Sequence, residues 1–538
     1  MSVHRAAIAL LLAVLSACAK VGTPTNGGPN PWTIPGVLRI GDVEEPDNLN
    51  LMFGHTLATG ELDCLLFSFI LRTDADGNLF PDLATVVPTQ QNGGVSRDGK
   101  TITIHLRHGV TWSDGAPLTA ADWLFTYHAV LNPANNTKTN YGWTEIAAAS
   151  APDPYTIVIH LKKPTVEALE ILTMGGDAYP PLPAHLLAKL PDINRAAFNS
   201  APVSSGPFIL QRWDRGDSLT FVANPRYFRG PPKLKEIVWK IIPNPTTLLN
   251  ALRAHEIDLY PSVSEDNLEQ LHTISGIVVT KRLVAWWQHL NINMSRPALA
   301  DPHVRTAIAE GVDWKRIVDT VYHGSGTLAV SDIFPQSWAA PNLPPYRYDP
   351  ADAKRQLAQG GWKMGDDGVM HKGPLALHLS LSAVTDNQVN NRAELLIQSM
   401  LQQVGIGIEV HNYPANLLFA QNGPIYTGKY DLEWSQAING ADPDDSGSWN
   451  SHFIPPHGAD TSWLRDPIVD RTSEAAASTF DEGQRKAFYQ QEAARLRQLN
   501  PSIIAFWHES YYAYNSDLRN FKPAAFIADE WNAWEWQI

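Results

Sequence analysis

Two cysteines in 538 residues, Cys18 and Cys64, are too few for a disulfide framework. Charge is sparse as well. Asp, Glu, Lys and Arg make up 18% of the chain, against roughly 25% in an average soluble protein. Positive charge is the scarcer sign, with 41 Lys plus Arg facing 55 Asp plus Glu for a formal charge of −14. An acidic chain lacks the basic footprint that nucleic-acid binding needs, so no nucleic acid partner is expected. Long apolar runs are missing too, and no segment approaches the ~20 apolar residues of a membrane-spanning helix. Hydrophobic residues still reach 44%, which excludes a disordered chain and supplies a large core. At ~150 residues per domain, the length predicts about three or four structural units. Tryptophan is what abounds, with 18 copies.

The N-terminus runs Met1-Ser2-Val3-His4-Arg5 into an apolar stretch from Ala6 to Leu15, then Ser16-Ala17-Cys18. A cation, about ten apolar residues and small residues before the cut describe a secretory signal peptide over residues 1–17. Leu15-Ser16-Ala17-Cys18 resembles a bacterial lipobox, in which the cysteine is cleaved free and acylated. Cys18 is therefore the expected lipidation site, and acyl chains of ~0.8 kcal/mol per buried methylene would tether the protein to a membrane. Residues 18–36, rich in Gly, Pro, Thr and Asn, are expected to form a flexible tether. The expected location is outside the cell membrane, on the periplasmic or cell-surface face.

Motifs for covalent or metal chemistry fail in detail. His323-Gly324-Ser325-Gly326 lacks the spacing of a nucleophile elbow. His508-Glu509 opens like a zinc-protease helix, but Tyr512 stands where the second histidine is required. Asp74-Ala75-Asp76-Gly77-Asn78 brings its glycine too early for a calcium loop and reads as a hairpin turn. Gly405-Ile406-Gly407 has no third glycine for a dinucleotide loop. The 18 histidines, including His105, His108, His452 and His457, form no ligand run. Neither an enzyme, nor a cofactor, nor a bound metal is expected.

From Val37 onward, short alternating strands mix with amphipathic helices. Thr101–Leu106 and Tyr155–Leu161 alternate with period two, and Leu375–Ser382 and Ile408–His411 read as further strands. Thr119, with Asp122 three residues on, predicts a capped helix carrying Trp123, Tyr127, Val130 and Leu131 on one face. Asp301-Pro302, Asp313 and Asp349-Pro350 predict three more helix starts, the last closing at Gly360-Gly361. The pattern predicts α/β lobes with mixed sheets.

A string of local motifs extends over about residues 37–538. It includes Glu45-Pro46-Asp47-Asn48-Leu49-Asn50, Leu79-Phe80-Pro81-Asp82-Leu83-Ala84 and the dense stretch from Ser96 to Asp122. Ser205-Gly206-Pro207-Phe208, Asn224-Pro225-Arg226-Tyr227, Leu252 to Asp258, Leu290 to Asn293, Val304 to Ile308, Tyr348-Asp349-Pro350, Asp442-Pro443-Asp444 and Pro501 to Trp507 follow in order. The series resembles the family 5 bacterial extracellular solute-binding proteins, the peptide- and nickel-binding subunits of ABC importers.

The resemblance implies a two-lobed periplasmic-binding-protein fold of class II, large peptide-binding type, with an inserted subdomain and mixed sheets. The first lobe would combine 37–75, 205–285 and 500–538, the insert 76–204, and the second lobe 286–499. A monomer would capture a peptide, or another small solute such as a sugar, opine or metal chelate, by hinge closure. It would hand the solute to a membrane permease with its ATPase subunits. By family position, the first-lobe pocket segment holds His55, Thr56 and Leu57. The second-lobe segment holds Trp434, Ser435, Gln436, Ala437, Asn439, Asp442 and Trp449, with Trp286 at the lobe junction and Trp507 near the hinge. Peptide-binding relatives carry an aspartate about three residues after that tryptophan, for the ligand's ammonium. Here the residue is Ala437, so either Asp442 substitutes or the ligand lacks a free amine.

Overall fold

The computed structural model describes residues 29–175, 178–263, 267–385, 387–526 and 528–538. The signal segment, Cys18 and residues 18–28 of the tether lie outside them. The tether's last residues are held against the body: Trp32 stacks on His255 at 4.2 Å, and Asn30 donates to Asn515 and to the Gly276 carbonyl.

One mixed eleven-stranded sheet runs through both lobes. On the first-lobe side, Val37–Asp42 lies parallel to Glu236–Ile241 and Leu259–Tyr260, and Ser218–Ala223 and Phe208–Asp214 extend the edge antiparallel. On the second-lobe side, His378–Val384 pairs parallel with Gly407–Tyr413 and Leu432–Ile438. The expected strand Leu375–Ser382 splits here. Leu375–Ala376 belongs to a small three-stranded sheet with Met370–Lys372 and Lys363–Met364, and the main-sheet strand starts only at His378. Two long strands join the halves, Ile277–Ile292 and Ser502–Asn515, paired antiparallel along most of their length.

Alternation explains which faces are buried. In Glu236–Ile241, Ile237, Trp239 and Ile241 turn inward, continuous with Leu38 and Ile40 of the neighbouring strand. The segment 76–204 contributes its own sheet, in which Ile102 faces Ile159 and Ile104 faces Ile157. Helix Ala120–Leu131 covers it, started by Thr119 and Asp122 in a reciprocal capping box. Its fully buried Trp123, with Trp112 and Trp143, merges into the first-lobe core. A second core gathers Leu290, Ile317, Leu381, Ile397, Leu432 and Phe506. Helices Pro302–Gly311, Trp314–Val321 and Pro350–Gln359 start at Asp301, Asp313 and Asp349, whose carboxylates each accept a backbone N–H.

The motifs of the sequence have structural work. A Cβ on Gly206 would sit 2.6 Å from the backbone of Leu66 and Phe67, so only glycine fits where the chain leaves the insert. Asp258 receives Arg39 at 2.7 Å, and Arg305 donates to the Leu299, Ala300 and Leu499 carbonyls. Asp74 caps its hairpin by accepting from Asp76 and Asn78. The lobes also meet away from the sheet, where Val166 of the insert donates to the Ala477 carbonyl at 2.9 Å. Trp536 is core, and Trp534 lies against the Arg72 and Arg229 guanidiniums.

Candidate functional site

The two long strands lose register where the lobes meet. Leu283 faces Glu509 and Trp287 faces Trp507, so three residues of one strand oppose the single His508 of the other. A second irregularity follows between Gln288 and His289. Bulges bend strands and redirect side chains, and these sit at the junction. Val284, Trp286 and His508 consequently border a cleft of about 350 Å³, within the size range of small-molecule sites.

The first-lobe wall comes from Leu57 and Glu61, four residues apart on one face of helix Leu57–Leu66, and from Ser262, Tyr512 and Asp529. The second-lobe wall carries Tyr322, Asn387, Asn390 and Gln436. Tyr322 donates its hydroxyl to Asn390 Oδ1 at 2.6 Å, and Asn387 caps helix Gln388–Gln403. His508 lies 3.2 Å from Gln288 Oε1, and burial pulls its imidazole down to about 4, so the ring is neutral. Aromatic faces and a few fixed polar groups are what a small-solute site needs.

The expected site residues divide. Leu57, Trp286 and Gln436 line the cleft. Thr56 caps the first-lobe helix, while His55 is exposed with its backbone N–H on Asp47. Trp434 is fully buried and stacks on Trp314 at 5.9 Å, so its place is the second-lobe core. Trp507 is equally buried, edge-on to Phe334. Ser435 bonds His289, and Ala437 packs beside Trp287 in the junction core. Asn439 accepts from the Trp287 indole at 3.0 Å, and Trp449 donates to Asp332 at 2.6 Å. These groups brace the junction: the polar atoms of Ser435, Asn439 and Trp449 are engaged there, while the buried indole N–H groups of Trp434 and Trp507 meet no acceptor.

Asp442 is engaged most completely. Arg485 reaches both of its carboxylate oxygens, at 2.6 and 2.9 Å, and also donates to Tyr489. This ion pair lies where helix Glu482–Leu499 approaches Glu170 of the insert, and neither of its members lines the cleft. Burial, then Asp442 and Asp444, pushes the Glu170 carboxyl well up, with Arg485 opposing. Asp442 is thus paired with a resident guanidinium and is not a free carboxylate awaiting an ammonium.

Glu61 and Asp529 belong to no sequence motif, and they change the cleft's electrostatics. Burial drives Glu61 well above the carboxylate range, reinforced by Glu530, Asp42 and Asp529. Burial likewise raises Asp529 to about 7, against the Ala524 N–H and the Tyr512 hydroxyl that favour its charge. Glu61 and Asp42 share a hydrogen bond, which between two carboxyls requires a proton. The helical spacing from Leu57 to Glu61 was the available signal. Nothing local indicates that Asp529 returns to it from the other end of the chain.

Among the described residues, no helix is long and apolar enough to cross a membrane, and no His, Cys, Asp and Glu group is arranged to hold a metal ion. Residues 78–458 match the bacterial extracellular solute-binding proteins, family 5 Middle. The oligopeptide-binding protein AppA of Bacillus subtilis is 25% identical over 519 residues, 94% of this chain and 91% of that protein. The nickel-binding periplasmic protein of Escherichia coli is 25% identical over 456 residues, 80% of this chain and 82% of that one. Among solved structures, NikZ of Campylobacter jejuni in complex with Ni(L-His) superposes with a TM-score of 0.77 at 25% identity, covering 94% of this chain and all of that one. AppA in complex with a nonapeptide superposes with a TM-score of 0.75 at 24% identity, covering 94% and 99%. Members of this group are extracellular or periplasmic, non-enzymatic transport components. With the match spanning most of the chain and the two-lobed fold agreeing, the protein belongs to the family 5 bacterial extracellular solute-binding proteins.

Proposed function

We propose that this protein is the solute-capturing subunit of an ABC importer and that its solute is a peptide. The observation that carries the reading is the cleft at the bulged crossing strands, where Trp286, Tyr322 and Tyr512 supply apolar walls and Gln436 and His508 supply polar contacts. The lobes 37–75 with 205–285 and 500–538, and 286–499, close over the solute, with 76–204 latching onto the second lobe through Val166. Closure is driven by contacts that only the closed state makes. The loaded protein then docks on a membrane permease, held near it by lipid on Cys18.

AppA's nonapeptide complex supports the peptide reading, and NikZ's Ni(L-His) complex supports a metal chelate as the second. A thermal-shift comparison separates them. Trialanine or a nonapeptide is expected to raise the unfolding midpoint and Ni(L-His) to leave it unchanged, and the reverse result would assign the chelate. For the anchor, Cys18→Ser is expected to abolish lipid labelling, and unchanged membrane attachment would contradict that role.

A further inference from the structure

The cleft is bordered by more carboxylate than it can neutralise. Glu61 and Asp529 line it, and Asp42 and Glu530 stand directly behind. Glu530 is 2% exposed, and its Oε2 has no hydrogen-bond partner; Glu61 Oε2, at the cleft wall, is buried and meets no N–H donor, the hydrogen bond of Glu61 being to the Asp42 carboxyl. A buried carboxylate oxygen without a donor is costly and is ordinarily matched by a cation or a set of N–H groups. The cation acting on Asp529 is Arg282, whose Nη2 is turned to Asp76 at 2.5 Å and to the Ala75 carbonyl, its buried Nε meeting no acceptor. Glu509, the other acid on the wall, already holds Lys281 at 2.8 Å. Arg72, which acts on the neighbouring Cys64 thiol, is held by Asp82 at 2.6 Å, while Glu44 lies beside Asp42 and the Tyr512 hydroxyl faces the same group.

We infer that the cleft takes a cationic group of its solute, an ammonium or guanidinium, onto Glu61 and Asp529 of the first lobe. The inference rests on the cleft being the solute site, and it deepens that reading by naming the charge recognised. It also moves the recognition from the second lobe, where Asp442 is occupied by Arg485, to the wall formed by helix Leu57–Leu66 and the C-terminal segment. In the empty cleft the carboxyls relieve their mutual repulsion by keeping protons. An incoming cation replaces those protons, so binding releases them to solvent and strengthens as pH rises from 6 towards 8.

Titration calorimetry at pH 7 with three peptides amidated at the C-terminus tests this. They are N-acetyl-trialanine amide, trialanine amide with its terminal ammonium, and N-acetyl-Ala-Lys-Ala amide with a side-chain ammonium. Free arginine and spermidine complete the set. At least one ammonium-bearing peptide is expected to bind roughly tenfold or more tightly than the acetylated trialanine. Its heat should differ between Tris and phosphate buffers by the ionisation heat of the released proton. Glu61→Gln should abolish the preference while keeping the fold, checked by its unfolding midpoint, and Asp529→Asn serves as the second variant. Equal affinity for charged and uncharged peptides would overturn the inference and leave the peptide reading standing. Binding of arginine or spermidine but of no peptide would uphold the cation and overturn the peptide. No binding of any cationic probe would overturn the inference.

Discussion

Two groups of acids in this molecule look alike in composition and differ in their company. Asp442, Asp444 and Glu170 meet between the insert and the second lobe around Arg485, which satisfies Asp442 through two short contacts. Asp42, Glu61, Asp529 and Glu530 meet at the cleft with no arginine or lysine given over to them. A guanidinium inside the first group makes it a structural joint. Its absence from the second leaves oxygens that only protons, or a cationic guest, can balance. Burial alone does not distinguish structure from function; at the first group the resident guanidinium marks a joint.

The largest expected effect breaks the first group. Arg485→Met leaves Asp442 and its acidic neighbours uncompensated and is expected to cost about 3 kcal/mol, read from urea unfolding. A loss below ~1 kcal/mol would place the joint among ordinary surface pairs. Comparable in size, Trp434→Ala removes a fully buried ring and is expected to cost about 3 kcal/mol of stability. Trp286→Ala at the cleft wall should instead cost more than about 1 kcal/mol of solute binding with little change in stability.

A smaller effect separates the groups by pH. Unfolded carboxyls titrate at about 4, whereas Asp529 titrates at about 7 and burial drives Glu61 and Glu530 well above the usual carboxylate range. The folded, empty protein therefore holds protons that the unfolded chain has released. Their stabilisation is complete below the unfolded value and is lost as pH rises through the folded ones. For Asp529 that loss begins at about pH 4 and is complete just above about pH 7. Buried Asp445 and Glu492 contribute in the same sense, so the wild-type slope alone does not single out the cleft. Glu61→Gln should make that slope shallower, and an unchanged slope would remove Glu61 from the group. Below pH ~6.5 the depressed His289 and His508 act oppositely, because the unfolded histidines gain protons that the folded ones refuse.

Much of the fold is legible in the sequence because the signals are local. Thr119 with Asp122, and Asp301, Asp313 and Asp349, mark helix starts that the structure places at those residues. The alternation of Thr101–Leu106 likewise appears as a half-buried strand. The cleft is harder to read because its members are brought together by topology. Trp434 and Trp286 are equivalent as residue types; the pairing of Trp434 with Leu290, far away in the chain, buries the first. The bulge opposite His508 turns the second towards the cleft. Asp442 attracts attention by its position after Trp434, but the deciding partner, Arg485, is 43 residues further on. Glu61 and Asp529 lie almost the whole chain apart and meet only once the C-terminal segment folds back beside helix Leu57–Leu66.

The most direct test of the contrast is to titrate Glu61→Gln and Asp442→Asn side by side with N-acetyl-Ala-Lys-Ala amide and trialanine amide at pH 8. Glu61→Gln is expected to weaken the tighter of the two by roughly tenfold or more, while Asp442→Asn retains wild-type affinity and loses stability instead. Loss of binding in Asp442→Asn with full affinity in Glu61→Gln would contradict this and return ammonium recognition to the second lobe.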